Sequence, residues 1–267
     1  MARYYASKLW GGENYFIQCD SHLEFAEHWD EKYISEVKAT KNYPKSVLSS
    51  YPPGFSENGH SISDIKVQES PGTRMCTCEF SASDVENNII RVNTGSSYSR
   101  DYDGPPKQTA FIAAGFFFAH ASFLTDVPFD PFMPWCFMGE EIALSIRAWT
   151  AGWDIYGPRK NLIAHQYRPG RMGLPKYWGT VNRLYKRPSM SNALQDKVIG
   201  RAKNLVGYPD SSYEELVKSG YDIVISKIGF YGVGSERTLR EYLEFTNIDP
   251  VKQKCGQMKW CDKKKLD

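Results

Sequence analysis

Apolar and polar residues along the chain switch between a period of two and a helical period, and each switch marks an element. Tyr15-Phe16-Ile17-Gln18-Cys19 puts Tyr15 and Ile17 on one face of an extended run, which predicts a strand with Asp20-Ser21-His22 at its C-terminal tip. Trp29, Tyr33 and Val37 recur at helical spacing and predict a helix closing near Asn42-Tyr43-Pro44. Ser46 to Ser49 reads as a strand stopped by the Pro52-Pro53-Gly54 turn. Met75 to Phe80 and Ile89 to Val92 read as short strands joined by a turn at Glu86-Asn87-Asn88. The polar stretches 55–72 and 93–107 read as surface loops. Thr109 to His120 is apolar enough for one long buried strand, in which Gly115 marks a bulge or a close backbone approach.

A helix opens at Gly139-Glu140, repeats Ile142, Ile146 and Trp149 on one face, and stops at Gly152. Asn161 to Tyr167 follows as a further strand. The chain then turns helical over 192–205, in a helix where Ser212 and Glu215 predict a capping box, and over 236–246 with Leu239, Tyr242 and Leu243 buried. The expected organisation is an α/β domain over 1–185 and a helical extension over 186–267 packed on it.

Composition narrows this picture. A chain of 267 residues supports one large α/β domain or two small ones. The net charge of +2 argues against a dedicated nucleic-acid surface. No apolar run approaches the length of a membrane-spanning helix, and Met1-Ala2-Arg3-Tyr4 opens no signal peptide, so a cytoplasmic location is expected. The Lys-rich stretch from Lys252 to Lys265 reads as a solvated terminus. Cys76 and Cys78 share one strand face and read as core thiols of a reducing compartment; a Cys255–Cys261 disulfide is the alternative for a secreted chain. Aromatic residues make up 14% of the chain, which suits sugar faces as well as ordinary core packing.

Three segments carry candidate chemistry. Asp20 and His22 sit on one face of extended chain and can grip a divalent cation together, though acids and histidines are common at strand ends. Glu140 and Glu141 open a helix, where the dipole alone favours carboxylates. His165 and Arg168 close a third segment, Asn161-Leu162-Ile163-Ala164-His165-Gln166-Tyr167-Arg168. Each also has a plain reading, His165 as a satisfied strand histidine and Arg168 as a surface arginine before Pro169.

In order and spacing, Asp20-Ser21-His22, Gly139-Glu140-Glu141 and His165 with Arg168 resemble the sites of polypeptide N-acetylgalactosaminyltransferases. The chain is more similar to eukaryotic and viral polypeptide α-N-acetylglucosaminyltransferases, which include cytoplasmic enzymes modifying hydroxyproline on a ubiquitin-ligase adaptor. Ser50-Tyr51-Pro52-Pro53, Pro134-Trp135-Cys136-Phe137-Met138 and Gly229-Phe230-Tyr231-Gly232-Val233-Gly234 look like that family, and the resemblance runs from about Ala2 to Pro250.

The resemblance implies a GT-A-like fold, a mixed sheet flanked by helices. In that architecture a nucleotide-holding βαβ region precedes the Asp-x-His strand, whereas 19 residues precede Asp20 here, so an N-terminally truncated domain is expected. It further implies Mn²⁺ held by Asp20, His22 and His165, with Arg168 on the donor diphosphate. Glu140 is implied at the sugar hydroxyls, and Glu141 stands where the galactosamine enzymes carry Asn. Ala114, Gly115 and Gly139 are implied near sugar or acceptor, and Trp135 and Phe137 stack there or pack as core. The implied activity is retaining transfer of N-acetylglucosamine from UDP-GlcNAc to a protein hydroxyl, of hydroxyproline, Ser or Thr. The alternatives are a non-catalytic protein- or glycan-binding module and, last, a metal-dependent hydrolase.

Overall fold

The computed structural model describes residues 2–55, 67, 69–82, 86–167, 179–181, 183–184, 188–220 and 222–261. Five strands make the central sheet, in the order β1 (Tyr15–Cys19), β8 (Phe116–His120), β3 (Ser46–Ser49), β9 (Asp154–Tyr156), β7 (Gln108–Thr109). β3 and β9 run parallel and the other neighbours antiparallel, so the sheet is mixed. The period of two sorts its side chains. Phe116, Phe118 and Leu48 meet Tyr33 and Val37 of α2 (Trp29–Lys38) on one side. Phe117, Ala119 and Val47 face the other side, with Leu144 and Ala148 of α4 (Glu140–Thr150) and Phe123 of α3 (Phe123–Asp126). Both faces are covered, which is why β8 reads as an unbroken apolar run.

That same burial makes the run from Thr109 to His120 look like one strand, and it is not. The chain leaves β7, turns at Ala113-Ala114-Gly115, and re-enters the sheet as β8, with a single bridge between Ala113 and Phe116. Two of the intervening amides find side-chain partners instead of a ladder: Ile112 N–H donates to Ser145 Oγ at 2.8 Å, and Ala113 N–H to Ser49 Oγ at 2.8 Å. The strand expected over Asn161 to Tyr167 also divides, into β10 (Lys160–Asn161) and β11 (Ile163–His165). Between them the Leu162 N–H turns inward to the Tyr33 hydroxyl at 3.0 Å. β10 pairs with β4 (Ser70–Pro71), and β11 with β2 (Leu23–Phe25). The loop expected over 55–72 otherwise lies largely outside the described residues.

The hairpin β5 (Thr77–Phe80) and β6 (Ile90–Asn93) covers one flank of α4. Met75, Ile90 and Val92 share a core there with Ile142 and Ile146, and with Val206, Tyr208, Tyr242, Ile248 and Met258 from the C-terminal part. That part comprises α5 (Pro188–Val206), α6 (Tyr213–Lys218), α7 (Asp222–Ile225) and α8 (Leu239–Thr246), followed by the pair β12 (Ile248–Asp249) and β13 (Lys254–Cys255). Ser212 caps α6 by accepting from Glu215 N–H, while the Glu215 carboxylate turns to Lys218; the reciprocal capping box belongs to Thr238 and Glu241 on α8. On α8, Tyr242 is fully buried, and Leu239 and Leu243 are half-buried. Arg201 on α5 forms a buried ion pair with Asp130 at 2.7 Å, fixing the loop that leads to α4.

The expectation for the cysteines is corrected. Cys76 is bonded to Cys261 and Cys78 to Cys255, so neither free core thiols nor a Cys255–Cys261 bridge is present. Sharing a face, Cys76 and Cys78 present both sulfurs to the same returning segment, with Cα–Cα separations of 5.5 and 5.8 Å. Cys19 and Cys136 are free. Among the described residues, no helix is long and apolar enough to cross a membrane.

Candidate functional site

The site begins where β1 stops. Asp20 N–H donates to Gly115 O at 3.0 Å, so the strand tip is fastened to the turn that precedes β8. Two residues on, His22 adopts a left-handed backbone (φ 63°), which swings the chain out of the central sheet and into β2. β2 pairs with β11 in a register that sets His165 opposite Leu23, and Gln166 N–H donates to His22 O at 3.0 Å. The backbone therefore brings His165, distant in sequence, to the same corner as Asp20 and His22.

Their side chains are differently engaged. Asp20 faces Arg3 of the short helix α1 (Ala2–Ser7), at 3.8 Å. His22 Nδ1 lies 3.0 Å from Ser21 Oγ. The His165 ring packs edge-on against Tyr167, with centroids 4.2 Å apart. Burial holds the His165 imidazole below the ordinary histidine value, against the opposing pull of Asp20. A depressed value keeps a nitrogen lone pair free at neutral pH, as a metal ligand requires. One carboxylate and two imidazoles suit a divalent cation in kind. With the side chains as they lie, however, no three His, Cys, Asp or Glu groups among the described residues converge on a single point.

The floor of the corner is the turn Ala113-Ala114-Gly115, held on every side. Ala114 N–H donates to Glu141 Oε1 at 2.9 Å, and Ala114 O accepts from Gln18 Nε2 at 2.8 Å and from Arg3 Nη2 at 3.3 Å. Gly115 faces the Asp20 carboxylate so closely that a Cβ would lie 3.1 Å from Oδ2. α4 begins at Gly139, whose left-handed φ of 88° starts the helix and places both acids in its first turn. Glu140 pairs with Arg3, whereas Glu141 points inward and also accepts from the Tyr51 hydroxyl at 2.7 Å. Burial pushes the Glu141 carboxyl above the usual range, and the Ala114 N–H and Tyr51 hydroxyl pull it back. Burial likewise lowers the Arg3 value, with Asp20 the strongest opposing influence.

The remaining sequence candidates fall in several places. Gly139 is packed against α5 and the residue preceding β6, where a Cβ would meet Ala202 and Ile89. Phe137 is exposed and Trp135 is half-buried with a left-handed backbone (φ 57°). Arg168 lies outside the described residues. Sequence reasoning passed over Arg3, Gln18 and the individual role of Tyr51. Gln18 had a usable signal: a polar residue in an apolar strand, two before Asp20 and on its face. Arg3 had none, since its helix precedes every motif.

The chain belongs to the glycosyltransferase (GlcNAc) family, whose model matches residues 1–252. No curated protein matches it. Among solved structures it is similar to GalNAc-T7, crystallised with UDP, GalNAc and Mn²⁺, at 15% identity and a TM-score of 0.48. That likeness covers 91% of this chain and 42% of the GalNAc-T7 chain.

Proposed function

We propose that this chain carries the metal-side and acceptor-side part of a retaining, GT-A-like N-acetylglucosaminyltransferase, acting on UDP-GlcNAc and a hydroxyl of a protein or peptide. The observation that carries the reading is the β2–β11 register, which brings His165 beside the Asp20-Ser21-His22 tip in a chain of this family. Asp20, His22 and His165 would hold Mn²⁺, which when bound supplies Lewis-acid stabilisation of the departing diphosphate. Arg3 brings a guanidinium to the same corner and balances Asp20 and Glu140. Glu140, at a helix start and partly exposed, is suited to accept hydrogen bonds from sugar hydroxyls. Arg168 is assigned by resemblance to the diphosphate, and Phe137 and Trp135 to the sugar or the acceptor. For compartment, the cytoplasmic expectation competes with an oxidising one, and the two disulfides favour the latter.

The test is calorimetric titration of the full chain with UDP, with and without Mn²⁺, beside Asp20→Ala and His165→Ala. Binding that requires Mn²⁺ and disappears in both variants supports the transferase reading. The second reading, a protein- or glycan-binding module, is favoured by the lack of a converged ligand set among the described residues. Glycan or peptide binding indifferent to metal, with no uptake of UDP, would establish it instead.

A further inference from the structure

Residues 51–55 touch both halves of the site, and nothing assigned so far uses them. On one side, the Tyr51 ring packs into the core beside α4, and its hydroxyl donates to Glu141 Oε2 at 2.7 Å. Val92 O lies at 3.3 Å from the same hydroxyl, but the single proton goes to the nearer acceptor, Glu141 Oε2. Glu141 Oε1 in turn takes the Ala114 N–H at 2.9 Å, and the neighbouring Gly115 O takes the Asp20 N–H at 3.0 Å. On the other side, Pro53 O accepts from His165 N–H at 3.0 Å, Phe55 N–H donates to His165 O at 3.1 Å, and Pro52 O accepts from the Tyr167 hydroxyl at 2.9 Å. Five consecutive residues thus set the position of Asp20 through one route and of His165 through another.

We propose that Tyr51 is a positioning residue of this site: through Glu141 it fixes the Ala114–Gly115 turn beneath Asp20, while the segment it begins fixes His165, and Glu141 serves as a hydrogen-bond acceptor and not as a reacting carboxylate. Both carboxylate oxygens are engaged within the protein, one by a backbone amide and one by a phenol, which is the arrangement of a structural acceptor. The effect on ligand binding rests on the transferase reading; the brace itself does not.

The experiment compares wild type, Tyr51→Phe, Glu141→Gln and Glu141→Ala in the full chain, by amide hydrogen exchange at Ala114 and by calorimetry with UDP and Mn²⁺. Gln can keep both contacts, its oxygen accepting from Ala114 and its amide donating to the Tyr51 oxygen. The expected result is faster Ala114 exchange and about tenfold weaker UDP binding in Tyr51→Phe, a larger loss in Glu141→Ala, and recovery of most of that loss in Glu141→Gln. Unchanged exchange and unchanged binding in Tyr51→Phe would overturn the brace. Ala114 protection retained in Glu141→Gln, with binding lost as fully as in Glu141→Ala, would overturn the acceptor role. If wild type takes up no UDP, the transferase reading fails while Ala114 exchange still decides the brace.

Discussion

Gly115 lies against Asp20 twice over: its carbonyl holds the Asp20 amide at 3.0 Å, and its missing side chain leaves room for the Asp20 carboxylate. Its backbone φ is not in the left-handed region, so alanine is tolerated conformationally and only crowds Oδ2, at 3.1 Å. Gly115→Ala is therefore expected to fold with a melting temperature within a few degrees of wild type. Its Mn²⁺-dependent UDP affinity should fall about tenfold, the scale of a displaced charged contact. Calorimetry beside a thermal melt separates the two effects.

Arg3 brings a cation to a corner expected to hold a metal and a diphosphate, and these two ligands carry opposite charge. Arg3→Gln removes repulsion of the metal and attraction for the diphosphate at once. Mn²⁺ alone is expected to bind about threefold tighter and UDP about tenfold weaker, a split screened by salt because Asp20 is partly exposed. Titrating each ligand separately at low and high ionic strength checks it; equal shifts of one sign would rule out an electrostatic role for Arg3.

Glu36 predicts a pH effect. It is buried beneath the Arg159 amide, which donates to it at 2.8 Å, yet burial outweighs this and raises the carboxyl above its ordinary value. A group that binds its proton more tightly when folded contributes stability below its unfolded value and loses it as pH rises through the folded one. Glu36→Gln keeps an acceptor for the Arg159 amide and removes the titration. The variant should match or exceed wild type in stability above that window and show a flatter pH profile, measured by chemical denaturation from pH 4 to 8.

The paired cysteines are open to direct inspection. Peptide mapping without reduction should recover Cys76 joined to Cys261 and Cys78 joined to Cys255. Removing one bridge, as in Cys78→Ala with Cys255→Ala, is expected to cost about 2–5 kcal/mol, visible as a lower denaturation midpoint. Alkylation of all four as free thiols in freshly purified protein would return the chain to a reducing compartment.

Sequence pattern revealed the elements wherever a face periodicity existed. The strand at Ser46–Ser49, the helices that open at Trp29 and Glu140, and the hairpin flanking Asn87-Asn88 all follow from it. It failed in fully buried chain without a ladder. Ala110 to Ala113 is as apolar as β8 beside it, and the hydroxyls of Ser49 and Ser145 that divert its amides stand far off in sequence. The residues that meet at the corner, Asp20, His22 and His165, were legible as motifs, whereas their supports were not. Nothing local to Tyr51 or Arg3 announces that they reach Glu141 and Asp20. The disulfide partners, 185 and 177 residues apart, were likewise beyond any spacing argument.

The core beneath α4 is completed by Met258 and Cys261, close to the end of the described chain. A polypeptide leaving the ribosome N-terminus first therefore exposes Met75, Ile90 and Ile146 until the segment carrying Met258 and Cys261 has emerged. A stop after α8 would remove Met258 and Cys261 and release a chain with an open apolar flank, a substrate for chaperones and proteases.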